Sequence, residues 1–392
     1  GASTGRHEAR ERRDGGERYG GRGVAQAVRA VGEVLAPAVT GVSAADQEAV
    51  DRALRDADGT ADLARLGANA VLAVSVAAAG AAAQARDVPL WRHLAGERVA
   101  GPLLPLPMVN VVSGGAHARG AGVDLQDVLV VPVGASSFAE AIEWAWRVRR
   151  AAETLAAAGG QPAALVADEG GLGLGLPSNR AALGLVSDAI ERAGLAPGDQ
   201  AALAVDVAAT QLWDGSGYRL ATEGRVVDAG ALLDEIESWA ESFPVVSLED
   251  PLAEDDWEGW AEATRRLGRL QLVGDDLVVT RVERLERGVG AGIANAILVK
   301  PNQCGTLSDA AAALERARAA GYATVVSARS GDTEDCWLAD LAVGWLAGQI
   351  KVGSTTRSER TAKWNRLLRI EAEAGPAARF AGKTALAPLA RA

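Results

Sequence analysis

The chain has 392 residues, and 48% of them are hydrophobic, which is enough for a large core in two or three domains. Its formal net charge of -11 argues against nucleic acid as a partner, although a local basic pocket for one small anion stays possible. Two cysteines are too few for a disulfide framework or a thiolate metal site, and the opening residues lack the apolar stretch of a signal peptide, so we expect a cytoplasmic protein.

The first part of the chain, up to about residue 100, is predicted to be mainly helical. Apolar residues recur at three- and four-residue spacing in GVAQAVRAVGEVLAPAV, and Asp62 to Arg86 is a long alanine-rich segment. That segment is the one stretch that resembles a membrane span, but Asn69, Ser75 and Gly80 interrupt it. It therefore predicts a buried helix of a soluble protein, and we expect no membrane partner.

From about residue 105 onward, short β-branched runs alternate with amphipathic helical runs, which is typical of successive βα units around a parallel sheet. Nine strand candidates lie at residues 109–115, 127–134, 164–171, 201–209, 244–251, 270–276, 296–302, 323–330 and 349–354. The later ones are evenly spaced, and each ends in a polar or charged residue. This pattern predicts a closed α/β barrel with its active site at the carboxyl ends of the strands, and a doubly wound open sheet is the alternative. We expect an N-terminal domain at residues 1–100 and the barrel at 101–392.

Three carboxylates, Asp206, Glu249 and Asp275, stand at the ends of three successive strand candidates. Oxygen ligands without a nearby Cys or His favour a hard cation, and Mg²⁺ is the common choice when waters and a substrate oxygen complete its shell. The alternative is that each residue caps the helix that follows it. Because the three occur in phase, the sequence favours the metal site.

Cationic residues follow later strands in the same way. Lys300 emerges from the apolar run NAILV, and beside a divalent cation its pKa should be lowered, which suits a general base; a structural ion pair is the alternative. Lys351 repeats the arrangement and is a candidate for binding a substrate carboxylate. Arg329 and Ser330, in SARSGDTED, are suited to a phosphate group, with a solvated loop as the alternative.

Further acidic candidates lie earlier in the chain. Glu169 stands on the glycine-rich stretch ALVADEGG, and Gln126 and Asp127 lie in DLQDVL. Paired carboxyls of this kind can relay a proton to a leaving hydroxide, but they can also be turn residues. His117 lies between glycines in SGGAHARGAG, which favours a mobile flap over a core position.

Ordered blocks along nearly the whole chain resemble the enolase family. They include GASTGRHEARERRDG, GANAVLAVSVAAA, PMVNVVSGGAHA, VADEGG, SLEDPLAEDDWEGW, LVGDDLVVT, IANAILVKPNQCGTL and LADLAVGWLAGQIKVGS. The resemblance implies a small N-terminal α+β domain before an unusual α/β barrel, and a cytoplasmic homo-oligomer. It also implies Mg²⁺-dependent loss of water from 2-phosphoglycerate to give phosphoenolpyruvate.

The resemblance also implies a role for each candidate, with two Mg²⁺ ions per site. By position, Asp206, Glu249 and Asp275 are similar to the family's metal ligands, and Ser3 to the loop that closes over the second metal. Lys300 is similar to the base, and Glu169, partnered by Asp127, to the acid side. The substrate contacts implied are Lys351 for the carboxylate, Arg329 and Ser330 for the phosphate, Gln126, and His117 on a second mobile loop.

Three features depart from the family pattern. Ala328 stands where the family has an active-site histidine, and Asp127 replaces a glutamate. The chain opens at Gly1 inside a loop motif, so we expect a divergent, N-terminally truncated member. The substitutions leave three functions open: a phosphopyruvate hydratase, a paralogue that dehydrates an analogue to a product such as carboxyphosphonoenolpyruvate, or a catalytically silent binding protein.

Overall fold

A computed structural model describes residues 4–96, 99–118, 120 and 122–387. The strands are β1 Leu103–Leu104, β2 Leu106–Ser113, β3 Asp127–Val131, β4 Leu172–Gly173, β5 Ala202–Asp206, β6 Tyr218–Leu220, β7 Arg225–Val227, β8 Val245–Glu249, β9 Gln271–Gly274, β10 Ala296–Val299, β11 Ala323–Ser327, β12 Gly348–Gly353 and β13 Arg379–Phe380. The α-helices are α1 Ala25–Ala30, α2 Ala36–Val39, α3 Gln47–Asp58, α4 Ala68–Ala85, α5 Leu90–Ala95, α6 Phe138–Ala158, α7 Asn179–Arg192, α8 Ala229–Ser242, α9 Trp257–Leu267, α10 Val282–Ala291, α11 Pro301–Cys304, α12 Leu307–Ala319, α13 Trp337–Gly344 and α14 Ser358–Ala374.

Eight strands form a closed barrel. Their order around it is β2, β3, β5, β8, β9, β10, β11 and β12, and β12 pairs again with β2. The predicted barrel is therefore confirmed. The expectation of uniformly parallel units was wrong at one strand, because β3 is antiparallel to both β2 and β5. As a result the first residue of β3, and not its last, lies where the neighbouring strands end.

One strand candidate, residues 164–171, does not form a strand. Val166 makes only an isolated bridge to Leu172, and the residues between them form a turn. Gly170 has φ +84, a backbone conformation that glycine adopts without steric cost, and its N–H donates to the Ala167 carbonyl at 3.0 Å. The turn chemistry of the Asp-Glu-Gly-Gly sequence therefore overrides the apolar residues before it.

The residues before the barrel are helical. Among the described residues before Leu103 there is no strand, and α1 to α4 enclose a separate apolar cluster that includes Leu35, Leu54 and Val71. The alanine-rich helix α4 is the one described helix that is long and apolar enough to cross a membrane. It contacts α3, α5 and α11, and Ala68, Val71 and Ala79 are fully buried, as expected for a core helix.

Helices begin where a side chain satisfies their free N–H groups. Asp256 Oδ1 accepts from the Gly259 N–H at 2.9 Å to start α9, Ser178 caps α7, and Thr306 caps α12. The acidic stretch after β8 therefore starts a helix, which returns the chain along the outside of the barrel to the next strand.

The barrel wall separates two layers of apolar side chains. Inward-facing residues such as Ala204, Val273 and Leu298 fill the interior, while outward-facing residues such as Val205, Leu272 and Val299 pack in the larger outer cluster. Side chains of a strand alternate between faces, so a residue two positions beyond an inward-facing one also faces inward. This alternation decides which side chains reach the chamber at the carboxyl end of the barrel.

Candidate active site

Alternation along the strands places the predicted site residues in one chamber. Asp206 follows inward-facing Ala204 by two positions, and Lys300 follows Leu298 in the same way. Asp127 begins antiparallel β3, where it pairs in register with Asp206. The buried members of the set are Asp127, Glu169, Asp206, Glu249, Asp275, Lys300 and Lys351, all 9% exposed or less.

Lys351 joins two of the predicted metal ligands. Its Nζ lies 2.6 Å from Asp206 Oδ2 and 2.7 Å from Glu249 Oε2. Burial disfavours the charged ammonium, but the two carboxylates outweigh it and raise the pKa of Lys351 well above its usual value. The lysine is therefore a cation held between two acids at the ends of adjacent strands.

Lys300 pairs with the third predicted ligand. Its Nζ lies 2.5 Å from Asp275 Oδ2, and Gln303 Nε2 donates to Asp275 Oδ1 at 2.9 Å. Burial alone would lower the pKa of Lys300, but the Asp275 carboxylate raises it. The lowered pKa that we expect beside a divalent cation stays a prediction. The ion pair that the sequence left as an alternative is present.

The three predicted ligands do not cap helices, because their partners are the side chains of Lys300, Lys351, Gln303 and Gln126. They stand at neighbouring strand ends, as expected, but lysines separate them into a pair and a single residue. Two lysine ammonium groups do not balance the negative charge of the three carboxylates. Burial and the nearby Asp206 carboxylate raise the pKa of Glu249 well above its usual value, and Glu249 Oε1 is buried with no hydrogen-bond partner among the described residues.

These observations fit a divalent cation. Glu249 offers an unused buried oxygen, and Asp206 and Asp275 stand at the adjacent strand ends with the oxygen donors that Mg²⁺ prefers. In this structure the oxygens of the three residues do not all lie within 4.8 Å of one another. A buried carboxylate with a raised pKa is the group whose charge a cation would compensate. Ser3, the predicted ligand of a second metal, lies outside the described residues.

The predicted acid side is built on loops. His117 Nδ1 lies 2.9 Å from Asp127 Oδ2, and His117 Nε2 lies 3.9 Å from Glu169 Oε1. The other oxygen of Asp127 accepts from Ser113 Oγ at 2.8 Å and from Asn110 Nδ2 at 2.5 Å. His117 is therefore a buried residue between two carboxyls, and the mobility expected of its loop stays a prediction.

The charges of this group are set by burial and by one another. Burial would lower the pKa of His117, but the carboxylates of Asp127 and Glu169 raise it to about 9. Burial would raise the pKa of Asp127, yet the imidazolium holds it below its usual value. For Glu169 burial prevails and raises the pKa. Near neutral pH the group therefore carries an ionised Asp127, a protonated His117 and a Glu169 that retains its proton more readily than a free glutamate.

Arg329 and Ser330 follow β11 at the rim of the chamber. Arg329 makes two bonds to Glu8 of the N-terminal region, at 2.8 and 3.1 Å. The buried guanidinium of Arg360, on α14, donates to the backbone carbonyls of Arg329 and Ser330 at 2.8 and 2.9 Å. The loop that carries the predicted phosphate contacts is thereby held by a side chain that the sequence argument did not identify.

Gln126 borders the entrance of the chamber. Its Nε2 donates to Asp206 Oδ2 at 3.1 Å, while its Oε1 is buried with no partner among the described residues. Gln126 also lines a cavity of about 500 Å³ together with Gly115 and Trp213. Gln126 therefore connects Asp206 to the wall of this cavity.

The sequence argument missed a second acidic group. Asp250, Asp275 and Asp276 each place an oxygen within 4.8 Å of the others, and all three are buried. Burial raises the pKa of Asp250 well above its usual value, and that of Asp276 to about 8. Asp250 accepts the backbone N–H groups of Asp275 and Asp276 at 3.0 and 2.7 Å, so it orients the end of β9. The signal was available, since SLED and VGDD both end strands in an additional acid.

Ala328 faces away from the barrel interior. It belongs with Val326 to the outer apolar cluster and lines a cavity of about 290 Å³ between the barrel, α4 and α13. Arg329 and Asn302 border the same cavity, whereas Lys300 and Glu169 do not. The cavity next to the small Ala328 side chain therefore lies beside Arg329, the predicted phosphate contact.

Comparison with known families gives two matches that follow one another along the chain. The family model described as the enolase N-terminal domain matches residues 1–94. The family model described as the enolase C-terminal TIM barrel domain matches residues 102–389, which is most of the chain. The division between the two domains that we placed at residue 100 stays a prediction.

Proposed function

Because the chain belongs to the enolase family and is a lyase-type protein of that superfamily, we propose that it dehydrates 2-phosphoglycerate to phosphoenolpyruvate. The observation that supports the proposal is that a base candidate and an acid candidate are both buried at the carboxyl ends of the barrel strands. Lys300 follows β10, and Glu169, whose pKa is raised, lies on the turn that is bonded to Ser354 after β12. Loss of water from a hydroxy acid requires both a proton acceptor and a proton donor.

In this proposal Lys300 takes the proton next to the substrate carboxylate. It is 9% exposed and hydrogen-bonded to Asp275, which fixes its amine toward the chamber. Lys300 must be neutral to act as a base. The ion pair with Asp275, which raises the pKa of Lys300, therefore has to weaken when substrate and Mg²⁺ are bound. Lys351, held between Asp206 and Glu249, is positioned to bind the substrate carboxylate.

The proposed ligands of Mg²⁺ are Asp206, Glu249 and Asp275, and the family resemblance implies two ions per site. When bound, Mg²⁺ supplies positive charge that stabilises the carboxylate as negative charge develops on it. Glu169 donates the proton with which the hydroxide leaves as water. Arg329 and Ser330 hold the phosphate, because a guanidinium presents paired N–H groups to its oxygens.

Turnover of 2-phosphoglycerate with Mg²⁺, followed by the ultraviolet absorbance of phosphoenolpyruvate, tests this function. Lys300→Ala should lower kcat by about 10²–10⁴-fold. The matched control is Lys383→Ala, since Lys383 is exposed and follows β13, outside the strands that carry the site. Chelation of the metal should abolish turnover, and added Mg²⁺ should restore it. Equal activity of the two lysine variants would refute the assignment of the base.

A second candidate is dehydration of a 2-phosphoglycerate analogue that is larger at its phosphoryl end, with a product such as carboxyphosphonoenolpyruvate. The cavity of about 290 Å³ beside Arg329 and Ala328 favours it. In competition assays such an analogue should then have a higher kcat/KM than 2-phosphoglycerate. Ala328→His should reduce that preference by filling the cavity, whereas preference for 2-phosphoglycerate in the unmodified protein would remove this candidate.

We also propose that the protein is cytoplasmic and forms a homo-oligomer, as the family resemblance implies. The net charge of -11 and the small number of cysteines support the first part. Light scattering of the purified chain tests the second, and a monomer at micromolar concentration would contradict it.

A further inference from the structure

The carboxyls of Asp127 and Glu169 approach each other but do not hydrogen-bond directly. One oxygen of each lies within 4.8 Å of the other and of a His117 nitrogen. Both oxygens of Asp127 already have partners, since Oδ1 accepts from Asn110 and Ser113 and Oδ2 contacts His117. The shorter side chain at position 127 therefore reaches Glu169 only through the imidazole.

We propose, on the basis of the function proposed above, that His117 is a positioning residue of the acid side, which links Asp127 to Glu169 and makes Glu169 an effective proton donor. This differs from a substrate-binding role on a mobile loop. His117 acts through Glu169 and does not itself have to touch the substrate.

The surroundings of His117 fix its orientation. The backbone N–H of His117 donates to the Gly114 carbonyl at 3.0 Å, and the backbone carbonyl of His117 accepts from the Asp168 N–H at 3.1 Å. Asp168 precedes Glu169, so the loop that carries the imidazole is tied directly to the turn that carries the acid. The Ser354 N–H binds the Glu169 carbonyl at 2.8 Å and holds the turn from β12.

Charged groups on every side act on this link. Asp127 on β3, Glu169 on its turn and Asp206 at the end of β5 face His117, and each favours its protonated form. Lys351 acts on both Asp127 and Glu169, and Arg360 acts on Glu169. The positive charge of the imidazolium balances the Asp127 carboxylate and lies 3.9 Å from Glu169, the proposed proton donor.

The carbon–oxygen bond of the substrate breaks while the Glu169 carboxyl proton moves to the departing hydroxide, which leaves as water. Glu169 is then a carboxylate 3.9 Å from protonated Nε2 of His117, whose charge stabilises it. Solvent returns a proton to Glu169, and Lys300 releases to solvent the proton it removed from carbon. Without the imidazolium, Glu169 holds its proton more tightly and donates it less readily.

Kinetics of His117→Asn test the link, since Asn can still hydrogen-bond to Asp127 but carries no charge. With 2-phosphoglycerate we expect kcat to fall by about 100-fold and KM to change by less than about threefold. The alkaline limb of the kcat profile should move to higher pH by about one unit, because Glu169 loses its cationic neighbour. The control is His93→Asn, a histidine outside the chamber, which should leave both constants unchanged. A rise in KM with kcat and the pH limb preserved would instead assign His117 to substrate binding and overturn the proposal.

A second measurement does not depend on turnover. The chain has three histidines, His7, His93 and His117, so the imidazole NMR signals can be assigned with single variants. One signal should titrate with a pKa of about 9, vanish in His117→Asn and titrate at lower pH in Asp127→Asn. If the protein fails to turn over 2-phosphoglycerate, the proposed function falls while this link is still tested. If no histidine titrates above its ordinary range, the link itself is refuted.

Discussion

The two sides of the chamber are constructed differently. One side, with Lys300, Lys351 and their acids, stands at the ends of strands β5 and β8 to β12. Backbone hydrogen bonds between neighbouring strands hold these positions. The side with His117 and Glu169 stands on two loops, and only Asp127 among its acids belongs to a strand. Strand positions allow little displacement, whereas loop positions depend on individual hydrogen bonds.

This difference corresponds to a difference in chemistry. The strand side holds buried opposite charges in contact with one another, which requires a rigid frame. The loop side carries the proton donor, which exchanges its proton with water in each turnover. We therefore expect variants of Lys351 and of the metal ligands on the strand side to affect mainly stability and metal binding, whereas Lys300 acts on kcat as the proposed base. Variants on the loop side should affect kcat and its pH dependence, and stability where they disturb the turn or the charge of His117.

The largest effect is expected for Lys351→Met. Removal of the ammonium leaves Asp206 and Glu249 buried and unpaired, and breaking a buried pair in this way costs about 3–5 kcal/mol. Urea unfolding in the presence of a chelator should show this loss, and Mg²⁺ should reduce it. Lys383→Met, at an exposed position, should stay within about 0.5 kcal/mol of the unmodified chain. Equal stability of both variants would mean that the strand side is not under electrostatic constraint.

The pH dependence of stability distinguishes the loop side. The pKa of His117 is raised from 6.5 to about 9. The protonated imidazole therefore contributes about 3 kcal/mol to the free energy of unfolding. This contribution is fully present below pH 6.5 and is lost as the pH rises through 9. Urea midpoints measured across this range should fall more steeply for the unmodified protein than for His117→Asn. Parallel curves would show that the imidazole is not held in its charged form.

These expectations also indicate how much the sequence can predict. Their position at the carboxyl ends of successive strand candidates predicted Asp206, Glu249, Asp275, Lys300 and Lys351 at one end of the barrel, because parallel strands of a barrel bring those ends together. The partners of these residues could not be predicted, because whether a lysine contacts one acid or two depends on distances across the barrel.

The loop side was predicted less well, and for a physical reason. Residues 164–171 were expected to form a strand because their apolar run resembles one, but the glycines after Glu169 favour a turn. Asp127 was expected near its partners only from the family resemblance, since it begins an antiparallel strand that repeated βα units do not predict. The contact of His117 with both carboxyls follows from how two loops meet, which no local pattern encodes.

Gly171→Ala tests whether the loop side depends on close packing. A Cβ at this position would lie 2.4 Å from Ser113 Oγ and 2.7 Å from Asn110 Oδ1, so the turn that carries Glu169 would have to shift. We expect a loss of about 1–3 kcal/mol in unfolding free energy and a fall in kcat. Gly173→Ala is the matched control, because its Cβ would meet only Ala118 Cβ at 3.8 Å. If both variants keep full activity, the position of the acid is not set by this contact.

The smallest effect is expected where a loop of the N-terminal region meets the strand side. Glu8 and Arg329 form a nearly buried ion pair, with side chains 8% and 11% exposed, so a phosphate that binds Arg329 must compete with Glu8. Glu8→Gln weakens that competition, and we expect inorganic phosphate to bind about threefold more tightly, which is less than 1 kcal/mol. Titration calorimetry measures the change, and Glu48→Gln, at an exposed position in the first turn of α3, is the control. Weaker phosphate binding in Glu8→Gln would mean that Glu8 supports the anion site by holding Arg329 in place, and the N-terminal loop would then belong with the rigid side of the chamber.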